Sequence, residues 1–237
     1  MYYAHLSDSV KIKKVSDDGK KGSFNIEGLF PGYGLTLGNS LRRALLSSIP
    51  GAAVTQFKVK GVLHEFSTIP GVMEDIVEIG MNIKKLRFDF TADEPQVLTI
   101  KVKGIKEVTG ADIESSIQAK IVNPEAKLFT ITDKKTDVEI ELTVEKGLGY
   151  VPVERRKELK LGIGEIALDA VFTPVINVSL NVENMRVGDR TDYNRLNITI
   201  ETDGSISPSE AIHKTSRILV DHFTKVGNLE EGLENKE

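Results

Sequence analysis

The chain has no cysteine in 237 residues. That absence removes disulfide scaffolds, cysteine-ligated zinc, iron–sulfur clusters and thiol nucleophiles together, although it does not fix the compartment. No apolar run approaches the roughly 20 residues that cross a bilayer. The N-terminus, MYYAHLSDSVKIKK, places its charges after a weakly apolar start, the reverse of a secretion signal. A cytoplasmic protein without membrane contact is therefore expected. A basic excess is missing as well. The net charge is −4 and the pI about 5.7, whereas a domain that grips nucleic-acid phosphates is usually basic. The clusters Lys11/Lys13/Lys14, Lys84/Lys85/Arg87 and Arg155/Arg156/Lys157 are short and read as solvated faces. Autonomous, tight DNA binding is disfavoured.

What remains is an ordinary globular composition, 40% hydrophobic and 28% charged, long enough for one large core or two modest ones. Residues 10–30 alternate loosely around a DDGKKG turn and read as a hairpin. The run LTLGNSLRRALLSSIPG, residues 35–51, is an amphipathic helix stopped by Pro50–Gly51. Leu37, Leu41, Ala44, Leu45 and Ser48 share one face, with Leu46 and Ile49 away from its centre. From residue 53 to 66 the period becomes two, with Phe57, Val59 and Leu63 on one face and Val54, Val62 and Phe66 on the other. A second helix is predicted after Pro70–Gly71 on the stripe Val72, Ile76, Ile79, Ile83 and Leu86.

Short strands follow at 97–102, 117–122 and 128–132, and a strict alternation at 138–144 marks a strand with one buried face. Residues 176–182 and 196–201 alternate again around a charged connector, MRVGDRTDYN. The closing helix is announced by Ser207, Pro208 and Glu210, a capping box with Pro at the first helical position. Ile212, Thr215, Leu219, His222 and Val226 give its stripe, widened by Ala211, Ile218 and Phe223. The pattern predicts an α+β fold: an outer domain built from both chain ends, interrupted by an inserted strand-rich domain.

Chemistry is hard to find. Gly32, Gly34 and Gly38 do not fit a dinucleotide loop, because position 37 is Leu and no βαβ unit follows. Gly38-Asn39-Ser40 lacks the lysine of a phosphate-binding loop. His5, His64, His213 and His222 share no metal-ligand spacing. Glu74–Asp75 and Glu230–Glu231 have no evident partner, and the serines of LLSSIPG and SPSEA lack a neighbouring histidine or glycine elbow. No catalytic residue, metal site or cofactor site is expected in this chain. One other class stays open, a freestanding dimeric α+β enzyme with an interdomain cleft.

Five segments, in order, resemble the N-terminal domain of the bacterial DNA-directed RNA polymerase alpha subunit: LTLGNSLRRALLSSIPG at 35–51, GVLHEFSTIPGVMED at 61–75, GLGYVP at 147–152, NVENMRVGDRTDYNR at 181–195 and ETDGSISPSEA at 201–211. The resemblance implies a homodimeric scaffold that recruits the beta and beta′ subunits of a nucleotidyltransferase and touches DNA only through the assembled enzyme. It implies a dimerisation domain at 1–51 and 176–229 and an inserted domain at 52–175; the polar, acidic composition of residues 230–237 predicts a disordered tail.

For the dimer interface it implies Leu37, Leu41 and Leu45 facing Ile212, Leu219 and Phe223. Arg43, Leu46, His64, Glu65 and Lys84 match positions implicated in contacting beta, and Arg186, Arg190 and Asp192 fall in the region implicated in contacting beta′. Without the resemblance, Arg42–Arg43 would read as a solvated helix face. The family normally continues through a linker into a promoter-binding C-terminal domain. The sequence stops at Glu237, so the DNA-reading role is not carried over to these residues.

Overall fold

The computed structural model describes residues 8–156 and 162–228. Strands β1 (Lys11–Asp17) and β2 (Lys21–Leu29) precede helix α1 (Tyr33–Ser47). There follow β3 (Pro50–Val59), α2 (Ile76–Ile83), β4 (Phe88–Phe90), β5 (Gln96–Lys103), β6 (Lys106–Thr109) and β7 (Ile113–Glu114). Next come β8 (Ala119–Ile121), β9 (Lys127–Ile131), β10 (Asp137–Leu148), β11 (Tyr150–Val151), β12 (Glu165–Ala167) and β13 (Ala170–Val171). The chain closes with β14 (Val175–Val187), β15 (Arg190–Thr202) and α3 (Pro208–Gly227). The fold is α+β. Contacts divide it into two units, one from the residues up to Ile49 with those from Pro174 onward, the other Pro50–Thr173.

In the two-ended unit an antiparallel sheet runs in the order β1-β2-β15-β14, and α1 and α3 cover one face. Phe24 and Ile26 of β2 and Leu196, Ile198 and Ile200 of β15 point to that face, where Leu41, Leu45, Ile49 and Ala211 meet them. Ser23 and Asn25 alternate to the other side, as a period of two requires. Gly34 and Gly38 are buried helix positions pressed on the sheet, so they serve close packing. A Cβ at Gly34 would lie 2.7 Å from Val182 Cγ1 and 2.9 Å from Asn194 Cβ. Ser207 caps α3 by accepting from the Glu210 amide, with Pro208 as the first helical residue.

The charged connector predicted between the last two strands is not a loop. β14 and β15 continue through it as one hairpin, turning at Gly188, whose φ of +61° suits the first central position of a two-residue turn. The stretch reads as polar because β2 pairs with β15 only from Asn194 onward, so the tip has solvent on both faces.

The other unit is built on a sheet of order β12-β3-β10-β5-β7. Val138, Ile140, Leu142 and Val144 of the central β10 are at most 2% exposed. Three expectations change here. Val54 and Phe57 do not face opposite ways, because the register with β10 slips at Thr143/Val144 and Thr55 is an extra residue. Such a bulge resets the alternation and puts both side chains in one core. The strand ends at Val59, leaving Leu63 and Phe66 exposed in the following loop. The second helix is only Ile76–Ile83: Val72 makes a strand bridge to Ile131, and Asp75 starts the helix by accepting from the Glu78 amide. Glu74, 6% exposed, accepts from the Thr130 amide at 2.6 Å and its hydroxyl at 3.1 Å, with Lys127 Nζ at 3.5 Å. It is a structural tie.

Candidate assembly surfaces

Helices α1 and α3 leave an apolar trough open. One part, about 350 Å³, is lined by Tyr33, Thr36, Leu37, Ser40, Leu41, Ser216, Leu219, Val220 and Phe223. A second part, about 450 Å³, shares Leu37, Leu41 and Ser216 and extends over Val10, Ile12, Phe24, Ile26 and Ile212. The helix spacing explains the trough, since residues three and four apart share a face. Beyond Leu219 every described residue of α3 is exposed, and Val220, Phe223 and Val226 are 61%, 65% and 60% exposed. A bare apolar stripe on two turns of helix is unusual on a surface that meets only water.

The resemblance implied six residues for a dimer interface. Leu37, Ile212 and Leu219 are half-buried at the trough, and Phe223 is mostly exposed. Leu41 forms its floor at 3% exposure. Leu45 is a correction. At 0% exposure it sits wholly in this chain's own core and has no surface to offer a second copy. Periodicity identified an apolar face, but α3 of the same chain fills part of it. His222 is exposed, with Nδ1 2.8 Å from the Ile218 carbonyl.

Arg42 and Arg43 are both exposed on α1, and neither forms an ion pair among the described residues. Leu46 is half-buried against the core. His64 and Glu65 lie exposed in the loop after β3, with His64 Nδ1 3.1 Å from Ser67 Oγ. Glu65 and Lys84 line one shallow cavity of about 170 Å³, together with Val77 and Met81 of α2 and Asp169. Lys84 is not a free cation. Its Nζ lies 3.1 Å from Asp169, which also accepts from the Val153 amide at 3.1 Å. The Val153 amide first, then Lys84, hold the Asp169 carboxyl below its ordinary range.

At the hairpin tip Arg190 makes a two-point pair with Asp192, at 3.0 and 2.7 Å. That pairing lowers the Asp192 pKa. The Arg190 guanidinium also stacks 5.4 Å from the Phe30 ring centroid and 5.3 Å from that of Tyr193. Arg186 turns back to the Gly188 carbonyl at 2.8 Å. The three residues share one hairpin tip, where Arg190 pairs with Asp192 and Arg186 turns to Gly188 and, at 3.9 Å, to Asp189.

Asn194 escaped the sequence reading because its partners are some 160 residues distant. The helix α1 starts at Gly32, φ +87°, without a side-chain cap of its own. Asn194 Oδ1 supplies one from β15, accepting from the amides of Gly32 at 2.9 Å and Gly34 at 3.3 Å, while its Nδ2 donates to Asn184. The sequence reading left Asn194 at the end of the charged connector, where nothing marked it as a cap for a distant helix. Among the described residues no three His, Asp or Glu side chains group as metal ligands, and no helix is long and apolar enough to cross a membrane.

Residues 56–173 match the family model described as the RNA polymerase Rpb3/RpoA insert domain. The DNA-directed RNA polymerase subunit alpha of Syntrophomonas wolfei is 51% identical over 209 residues, covering 86% of this chain and 66% of that one. That of Carboxydothermus hydrogenoformans is 48% identical over 221 residues, 93% and 70% of the two chains. That of Alkaliphilus metalliredigens is 44% identical over 228 residues, 96% and 72%. The chain spans about two thirds of the length of these relatives. It belongs to the family of bacterial DNA-directed RNA polymerase alpha subunits.

Proposed function

We propose that this chain is an assembly platform of DNA-directed RNA polymerase, homodimeric and without an active site of its own. Two copies join through the α1–α3 trough, and the dimer recruits the beta and beta′ subunits, which carry the chemistry and the contact with DNA. One observation supports the reading above the rest: an apolar trough lies beside the exposed Val220, Phe223 and Val226 stripe on the same two helices. A two-fold interface needs a self-complementary patch of this kind, with a ridge on each copy meeting a groove on the other. Burying large apolar side chains contributes up to about 1.5–3 kcal/mol each, which offsets the loss of freedom on association.

On this reading the unpaired Arg43 on α1 faces beta together with Leu46, His64, Glu65 and Lys84, and the hairpin residues Arg186, Arg190 and Asp192 face beta′. Guanidinium suits such a contact because its planar fork binds carboxylate or carbonyl oxygens at two points. Co-expression with beta and beta′ tests the proposal. A complex that withstands purification, and is lost with Arg43→Ala, is expected; no complex with either subunit would sink the reading.

A further inference from the structure

The β14–β15 hairpin outruns its sheet. β2 pairs with β15 only as far as Asn194, so from Tyr193 to the turn at Gly188 the ribbon is two strands wide. Its register shifts between Met185 and Val187, and the side chains of Arg186, Asp189 and Asp192 are each more than half exposed. A two-stranded ribbon with no core beneath it is marginal in water, so ties to the rest of the unit set the direction of this tip. At its base the Gly28 amide donates to Met185 Sδ at 3.1 Å. At its end Arg190 reaches Phe30, whose carbonyl accepts from the Tyr33 amide in the turn that starts α1.

The second tie is built from both sides. Phe30 meets the Tyr193 ring of β15 edge-on at 6.1 Å and the Tyr33 ring of α1 at 6.3 Å. The Arg190 guanidinium lies 5.4 Å from the Phe30 centroid and 5.3 Å from that of Tyr193, while its Nε and Nη2 donate to Asp192. The two-point pair fixes the plane of the guanidinium and balances its charge, and the rings give that plane a surface to rest on. Donors and faces engaged in this way are poorly placed to serve an outside partner. The next residue of the strand, Asn194, caps α1 at the same corner.

We propose that Arg190 is a clasp. With Asp192 it closes on Phe30 and Tyr193 and holds the hairpin tip in one direction against the start of α1, which makes it a positioning residue and not a contact offered to another subunit. The proposal deepens the assembly reading, and rests on it only in taking the tip to face beta′. The groups of the tip left outward for that partner are Arg186 and Asp189, whose side chains are the most exposed there.

Hydrogen exchange read by mass spectrometry on the full chain tests the clasp without any partner. Arg190→Gln and Phe30→Leu should each speed exchange of the tip amides, residues 185–193, about threefold or more, as loss of a cation–π contact at a half-exposed site requires. Because the two residues act as one unit, the double variant should exchange little faster than either single variant. Phe30→Tyr, which keeps a ring face, should restore the parental rate, and amides of β2 should be unchanged throughout. Parental tip exchange in Arg190→Gln, or single effects that multiply in the double variant, would overturn the clasp. Binding to purified beta′ separates positioning from contact. Phe30→Leu alters no residue of the tip, yet should weaken binding as much as Arg190→Gln; weakening by Arg190→Gln alone would make Arg190 a direct contact and overturn the positioning role. A parental chain that binds no beta′ contradicts the assembly reading, and the exchange rates still decide the clasp.

Discussion

Replacing Asn194 by alanine removes the acceptor that starts α1. The side chain is 8% exposed and makes three hydrogen bonds, two of them from the Gly32 and Gly34 amides. Losing an N-cap costs about 1 kcal/mol. A buried amide left without an acceptor adds about 1–3 kcal/mol, and the Gly34 amide is the buried one of the two. The sum is about 2–4 kcal/mol, a large part of the stability of a small domain. Urea titration followed by far-ultraviolet circular dichroism reads the loss. The chain has no tryptophan, so fluorescence reports tyrosine, and Tyr33 and Tyr193 flank the affected site. Asn194→Ser, which keeps a shorter acceptor, should fall between parent and alanine. A loss under about 0.5 kcal/mol, the size of an ordinary surface substitution, would show that water caps these amides and that Asn194 is dispensable.

Three further outcomes follow from the packing and charges. Gly34→Ala should destabilise by about 1–3 kcal/mol in the same titration, because its Cβ would press on both Val182 and Asn194. Leu45→Ala should cost about 2–5 kcal/mol of monomer stability, whereas Phe223→Ala should change it by under about 0.5 kcal/mol; equal losses would refute the division between core and outward stripe. The depressed pKa of Asp169 stabilises the fold above the ordinary carboxylate value of 3.8, and that contribution disappears as pH falls through the lower folded value. Asp169→Asn should therefore weaken the chain at pH 7 and flatten part of its acid unfolding limb; an unchanged limb would refute the assignment.

The most readable parts of the sequence were those whose determinants are local. Ser207, Pro208 and Glu210 lie within four residues; Ser207 caps the helix by accepting from the Glu210 amide with Pro208 first in the helix, which is the serine half of the capping box they announce. Val138 to Val144 alternate strictly because β10 is flanked on both sides and buried on one face. Local pattern misled where a distant strand decided the outcome. Val72 fits a helical stripe, yet it bridges Ile131, and the single extra residue Thr55 is visible only once β3 is paired with β10. Leu45 shows a different limit: a 3.6-residue period marks which side of a helix is apolar, but not whose core that side fills. Asn194 shows the hardest case, a polar residue whose role depends on glycines folded back from far up the chain. Of the surface residues named for contact with other subunits, Arg43 forms no ion pair among the described residues, Arg190 is engaged by its near neighbour Asp192, and Lys84 by Asp169, which lies too far along the chain for spacing to connect them.

On the proposed reading, two copies join through the outward face of α3 and so present the platform to the large subunits. Native mass spectrometry of the complex purified after co-expression with beta and beta′ counts the copies directly. Two copies of this 26.1 kDa chain are expected in the parental complex, and Phe223→Asp should leave a folded monomer that recruits neither subunit. A complex holding a single copy, or a Phe223→Asp chain that assembles as well as the parent, would contradict the account.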